Sequence, residues 1–166
     1  MARPGKLLRA LYRAPLVAYR LGLAGREHWI VMHWILIVTR GRRSGREHAV
    51  LLDLLGEDAS QGRYYVQAAY GREADWVRNV EAHPRFEAQV GTERFPARME
   101  SAPEEEARAV MLAYVRAHSF YSPLIARMLG YRGSIRDAEA VAWWLVERFG
   151  MWAIVRGEES KNQHRH

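Results

Sequence analysis

Between Trp34 and Met99 apolar residues recur at strand spacing, and turn-forming residues cut them into five short runs. The spacing predicts strands over Trp34 to Arg40, Glu47 to Leu55, Arg63 to Ala69, Arg85 to Val90 and Arg94 to Met99. In the fourth run Phe86, Ala88 and Val90 alternate with Glu87 and Gln89. In the fifth Phe95, Ala97 and Met99 alternate with Arg94, Pro96 and Arg98. Such alternation belongs to antiparallel strands with one face on a core and the other toward water. Gly56-Glu57-Asp58 and Gly91-Thr92-Glu93 are expected to form turns, the second a tight hairpin. One short helix, Glu73 to Ala82, sits inside the β region, and His83-Pro84 ends it, because a residue before proline disfavours helical geometry.

The flanks read as helical. Pro4 to Leu23 is amphipathic, with Lys6, Arg9, Arg13 and Arg20 on one face and Leu8, Leu11, Tyr12, Leu16 and Leu23 broadly opposite; Pro15 divides it. It either packs on the domain with a solvated basic side or lies on an anionic membrane surface. Ser101-Ala102-Pro103-Glu104 has capping-box spacing with proline inside the first turn, opening a helix whose stripe is Ala107, Val110, Met111, Tyr114 and Val115. Further helices are expected over Ser122 to Gly130 and Asp137 to Phe149, then a last central strand, Met151 to Val155, and a polar tail. Helix, β meander, helices and final strand together imply an α+β domain: a small closed or half-closed barrel with helices outside it. The division is a lead-in over residues 1–30, a barrel domain over 31–157 and a tail over 158–166.

Composition narrows the function. The 166 residues carry a net charge of +6 and no cysteine. Disulfides, thiolate metal sites and cysteine nucleophiles are therefore excluded, and the basic balance favours an anionic partner. The longest apolar stretch, Trp29 to Val38, contains His33 and is shorter than a membrane span. With no apolar segment and small-residue cleavage site at the amino terminus, a cytoplasmic location is expected. No Gly-x-Gly-x-x-Gly, Walker loop, His-Glu-x-x-His or Gly-x-Ser-x-Gly motif occurs, and the histidines lack helical metal-site spacing, so no metal is expected. Glu104, Glu105 and Glu106 suit the positive end of a helix dipole.

Two segments retain chemical interest. The first, Thr39-Arg40-Gly41-Arg42-Arg43-Ser44-Gly45-Arg46, follows the apolar run Trp34 to Val38 at a strand end. Glycines let the backbone turn and expose N–H groups, while arginine and serine add donors, so the loop is either an anion site or a solvated basic hairpin. In the second, a strand leaves Ala68-Ala69 through Tyr70-Gly71-Arg72 into the helix of Asp75, Trp76 and Asn79. Those three residues share one side of its first turns, and the helix start can hold an anion. The alternative is that Trp76 and Val80 only pin the helix to the barrel, with Asn79 exposed.

Thr-x-Gly-Arg-Arg-Ser-Gly after an apolar strand, followed by Asp75-Trp76-Val77-Arg78-Asn79-Val80-Glu81-Ala82-His83-Pro84 and onward to Gly91, resembles the deazaflavin-dependent nitroreductase and quinone reductase family. The likeness extends through Arg94-Phe95-Pro96-Ala97-Arg98 and covers about Ile35 to Met99. It implies a split β-barrel, similar to FMN-binding barrels, that uses reduced coenzyme F-420. In such proteins the phosphate and acidic tail meet the basic loop. That assigns Thr39, Gly41, Arg42, Arg43, Ser44, Gly45 and Arg46 to coenzyme binding, with His48 nearby. The second block, Ala69, Tyr70, Gly71, Arg72, Trp76 and Asn79, would approach the ring and ribityl portions.

The resemblance implies hydride transfer to a small hydrophobic, electron-poor acceptor such as a quinone, enone or nitro compound, with Tyr70 and Tyr121 as candidate proton donors and Tyr131 in reserve. The loop before Trp76 is shorter than in many members, and the segment from His118 to Arg132 departs from the family's tyrosine-rich one, which bears on the acceptor more than on the coenzyme loop. FMN in the same fold is the alternative cofactor. A non-catalytic basic module on anionic lipid or nucleic acid is the alternative class, but aromatic residues are not interleaved with the basic ones as stacking platforms would be, so nucleic acid is not expected. A homodimer and a peripheral membrane contact through the amino-terminal helix are compatible with the enzyme reading.

Overall fold

A computed structural model describes residues 33–68 and 71–157. The expected amino-terminal helix, Ala69, Tyr70 and the polar tail lie outside the described residues. Six antiparallel strands close into a barrel in the order β1-β2-β3-β6-β5-β4. They are β1 Trp34–Arg40, β2 Glu47–Asp58, β3 Arg63–Val66, β4 Phe86–Val90, β5 Glu93–Ser101 and β6 Trp152–Arg156. The helices are α1 Asp75–Ala82, α2 Glu104–Ala117, α3 Ser122–Met128 and α4 Ala138–Phe149. Closure leaves no free edge among the described strands, which removes the aggregation hazard of a strand-rich segment.

Alternation built the barrel as expected. Ile35, Ile37, Leu52, Leu54, Val66, Ala88, Phe95, Ala97 and Ile154 face one interior core. Full burial of each larger aliphatic side chain there contributes roughly 1.5–3 kcal/mol. Helix α1 supplies Trp76, Val77 and Val80 to the same core, with Trp76 edge-on to Trp152 at 5.7 Å between centroids. A second core forms outside the barrel, where Ala107, Met111 and Val115 of α2 meet Val141, Leu145 and Phe149 of α4 over Tyr65, Ala153 and Val155. Of the stripe expected on α2, Val110 and Tyr114 are only half-buried.

Several expectations are corrected. Gly56-Glu57-Asp58 is not a turn; the three continue β2, pairing with Tyr65, Tyr64 and Arg63 after a register shift between Leu54 and Gly56. Gly56 serves close packing instead, since a Cβ there would lie 2.9 Å from the Val110 side chain. The turn falls at residues 59–62, where the Asp58 carboxylate accepts from the Ser60 N–H (3.0 Å), the Ser60 hydroxyl (2.6 Å) and the Gln61 N–H (3.2 Å). The third strand stops at Val66, short of Ala69. Ser101 caps nothing: it ends β5, paired with Trp152, and α2 starts after Pro103 with no side-chain cap. Ladder pairing of Ser101 outweighed the capping-box spacing. Helix α3 ends at Met128, two residues short of the expected Gly130. Asp137 does cap α4, its carboxylate accepting from the Ala140 N–H at 3.0 Å.

Candidate functional site

Loop 41–46 joins β1 to β2 beyond the closing pair Arg40↔Glu47. Its shape is fixed from within. The Gly41 N–H donates to the Arg46 carbonyl and the Gly45 N–H to the Gly41 carbonyl, each at 2.8 Å. Gly45 has φ +65°, a left-handed conformation that glycine adopts without strain. Gly41 is needed for space: a Cβ would come within 2.7 Å of both His48 Nε2 and Ser44 Oγ. At the strand end Thr39 is buried, its hydroxyl donating to the His48 carbonyl at 3.3 Å.

The loop is latched to α1. Asn79 is buried, not exposed, and its Oδ1 accepts from the Arg42 backbone N–H at 3.1 Å and from Arg42 Nη1 at 3.0 Å. Arg42 Nη2 pairs with Asp75 at 2.9 Å. The two segments singled out in the sequence are thus held against each other by Arg42, through two hydrogen bonds to the Asn79 amide and an ion pair with Asp75.

The latch divides the arginines by role. Arg42 is engaged by protein groups. Arg40, Arg43, Arg46 and Arg72 are exposed, and their guanidinium groups take no partner among the described residues. The backbone N–H groups of Arg43 and Ser44 likewise take none among the described residues, whereas the Arg46 N–H donates to Ser44 Oγ at 3.3 Å. Helix α1 begins after Ala74 with no side-chain cap, so its first N–H groups are open as well. Gly71, with φ +56°, turns the chain into the short 3-10 segment Gly71–Glu73 that precedes it. The result is a rigid loop whose free guanidinium groups and N–H groups suit an oligoanion, as a phosphate with a carboxylate tail would be.

Other expected residues are placed differently. Trp76 lies in the barrel core and supports α1 from below. Tyr121 sits at the α2–α3 corner, its hydroxyl 3.3 Å from that of Tyr114, with the His118 ring against both. Burial, and then the contact with Tyr121, push the Tyr114 phenol well above the ordinary tyrosine value, so it holds its proton at any working pH. Tyr131 is buried against Trp144. Asp75 was absent from the expected binding set. Its signal was the four-residue spacing from Asn79, which puts both on the helix face turned to the arginine loop.

A groove of about 870 Å³ runs along the outer face of β1 and β4, bordered by Leu36, Val38, Arg40, Glu47, His83 and Arg85. Glu47 and Glu87 stand among its arginines, so it suits an oligoanion less well than the loop does. No cluster of metal-ligating side chains occurs among the described residues.

The F420H(2)-dependent quinone reductase family matches residues 13–123 of the chain. Among solved structures, an F420-H2 dependent reductase (FDR-A) is 21% identical, with 73% of this chain and 92% of that one covered and a TM-score of 0.48. A protein described as a domain-swapped dimer is 18% identical over 90% of this chain and 99% of that one, with a TM-score of 0.50. A pyridoxamine 5'-phosphate oxidase-related, FMN-binding protein from Nostoc punctiforme is 13% identical over 94% and 81%, with a TM-score of 0.48. No curated protein matches the chain. In this chain the described strands form a closed six-stranded antiparallel barrel with flanking helices.

Proposed function

The chain belongs to the F420H2-dependent quinone reductase family, whose coenzyme is the reduced deazaflavin F-420, and from that premise we propose that it reduces a small, hydrophobic, electron-poor acceptor such as a quinone, an enone or a nitro compound. When bound, the coenzyme supplies the hydride. The protein's part is to bind, orient and exclude water. Arg43 and Arg46 hold the phosphate and acidic tail by charge-assisted hydrogen bonds, aided by the N–H groups of Arg43 and Ser44. Gly41 and Gly45 keep the loop in the shape that presents those groups, and Thr39 and His48 brace its root. Arg42 positions the loop on α1 and does not itself contact the anion. Gly71, Arg72, Ala69 and Tyr70 flank the ring, and Tyr70 or Tyr121 delivers the proton.

The observation that carries this reading is the latch of Arg42 on Asn79 and Asp75, which joins two sequence-distant segments and leaves the neighbouring arginines unpaired. It also favours a specific anion over diffuse basic binding, because a solvated hairpin has no need of a buried amide. Fluorescence titration with F-420, with FMN and nicotinamide cofactors in parallel, tests it. Low-micromolar binding of F-420 alone is expected; preference for FMN, or no binding, overturns the reading.

We further place the enzyme in the cytoplasm as a homodimer. The dimer draws support from a solved neighbour described as one. Lys6, Arg9, Arg13 and Arg20 give the amino-terminal segment the charge for peripheral contact with an anionic membrane. No helix among the described residues is long and apolar enough to cross a membrane.

A further inference from the structure

Helix α3 is amphipathic the wrong way round. The residues it turns to the protein are small: Ser122, whose hydroxyl donates to the His118 carbonyl at 2.9 Å and the Val115 carbonyl at 3.2 Å, and Ala126, fully buried. The large apolar residues face out. Phe120 is 91% exposed, Met128 87% and Leu124 56%, with Ile125 and Leu129 beside them. A surface helix ordinarily buries its larger apolar side chains, so this arrangement keeps them available for an apolar phase.

The sequence that carries the patch is basic. From Ala107 to Arg136 the sequence contains no aspartate or glutamate, yet it carries Arg108, Arg116, Arg127, Arg132 and Arg136, of which Arg108 pairs with Glu104 at 2.6 Å. Arg116 is paired with Glu139 at 3.3 Å, and Arg127 reaches only the Tyr131 carbonyl at 3.1 Å. The guanidinium groups of Arg132 and Arg136 take no partner among the described residues. Protruding apolar side chains followed in the chain by two unpaired arginines match a surface that offers hydrocarbon below and negative charge at its rim.

We propose that α3 and the segment after it dock on an anionic lipid bilayer, with Phe120, Leu124 and Met128 entering the acyl boundary and Arg132 and Arg136 meeting lipid phosphates. Protrusion decides for lipid over a protein partner. Phe120 and Met128, exposed to about nine-tenths, offer anchors and no receiving groove. This surface lies on elements separate from the coenzyme loop, so it stands whether or not F-420 is bound.

Because the chain has no cysteine, Met128→Cys gives a single labelling site. With a nitrobenzoxadiazole label in the full-length protein, vesicles of phosphatidylglycerol and phosphatidylcholine should raise the emission several-fold and shift it blue, and pure phosphatidylcholine should not. Phe120→Ser with Leu124→Ser should lower partitioning into the anionic vesicles at least tenfold, at unchanged F-420 affinity and melting temperature. Arg132→Gln with Arg136→Gln should erase the preference for phosphatidylglycerol. Four outcomes overturn the proposal. These are a silent label, wild-type protein that stays off the vesicles, a label that responds to protein concentration without lipid, and full retention of partitioning by the Phe120/Leu124 variant. In the last case, loss on replacing Lys6, Arg9, Arg13 and Arg20 with glutamine would assign the contact to the amino-terminal segment.

Discussion

One amide oxygen, Asn79 Oδ1, accepts from two groups of a single residue, the Arg42 backbone N–H at 3.1 Å and Arg42 Nη1 at 3.0 Å. The backbone bond fixes where the loop starts, and the side-chain bond aligns the guanidinium with Asp75 at 2.9 Å. An exposed carboxylate alone would hold an arginine weakly. The buried amide is what makes the latch specific.

Replacing Asn79 with alanine leaves that N–H without its acceptor and frees the guanidinium. A cost of about 1–3 kcal/mol is expected, or a melting temperature lower by roughly 2–4 °C per kcal/mol in a domain of this size. F-420 affinity should fall alongside it, because the loop loses its register on α1. Calorimetry and coenzyme titration on the same preparation check both; a variant that melts normally yet binds poorly would refute the latch as the cause.

Arg43→Ala and Arg46→Ala should behave otherwise. Both residues are exposed and unpaired among the described residues, so neither supports the fold. Each substitution should leave the melting temperature unchanged while weakening F-420 by about 1.5–3 kcal/mol, the value of a charge-assisted hydrogen bond. Arg42→Ala should lose stability and affinity together. The contrast among three arginines in one loop separates anion contact from scaffold.

The sequence made the barrel legible because strand alternation at Phe86, Ala88 and Val90 and at Phe95 and Ala97 reports a core face directly. It misplaced the turn at Gly56, because a glycine chosen for contact with Val110 looks like one chosen for a turn. Ser101 misled for a similar reason: a local capping pattern is outweighed by ladder pairing with Trp152, a partner far along the chain. Both segments of the site were legible from glycine and arginine content. The division of labour among the arginines was not, since it depends on Asn79 and Asp75, which only folding brings to the loop.

Acid should weaken a second charged cluster. The hydrogen bonds of Arg98, and then of Arg63, hold the Glu100 carboxyl below the ordinary glutamate value, partly offset by burial. Arg98 Nη2 lies 2.8 Å and Arg63 Nη1 3.0 Å from it. A carboxylate depressed on folding stabilises fully above its unfolded pKa, and that contribution disappears as pH falls through the folded one. Glu100→Gln should therefore melt lower than the wild type at neutral pH, and the gap should close as the pH falls through and below the ordinary glutamate range. Thermal melts from neutral to acid pH give the difference curve; a gap that widens in acid would reverse the assigned sign.

Gly41 and Gly45 make the last test, because they are required for different reasons. A methyl at Gly41 would collide with His48 Nε2 and Ser44 Oγ at 2.7 Å, so those two exposed side chains must swing away to admit it. Both can turn toward solvent, so the fold loses little, but the Ser44 hydroxyl and the His48 ring leave the positions they hold beside the loop. At Gly45 nothing stands within 4 Å of the added methyl, and the objection is the φ of +65°. A left-handed alanine costs about 1–2 kcal/mol but leaves the neighbouring groups where they are. Gly41→Ala should consequently lose F-420 affinity by more than Gly45→Ala at comparable melting temperatures. Equal losses in titration would mean that loop flexibility, and not the position of Ser44 and His48, governs the site.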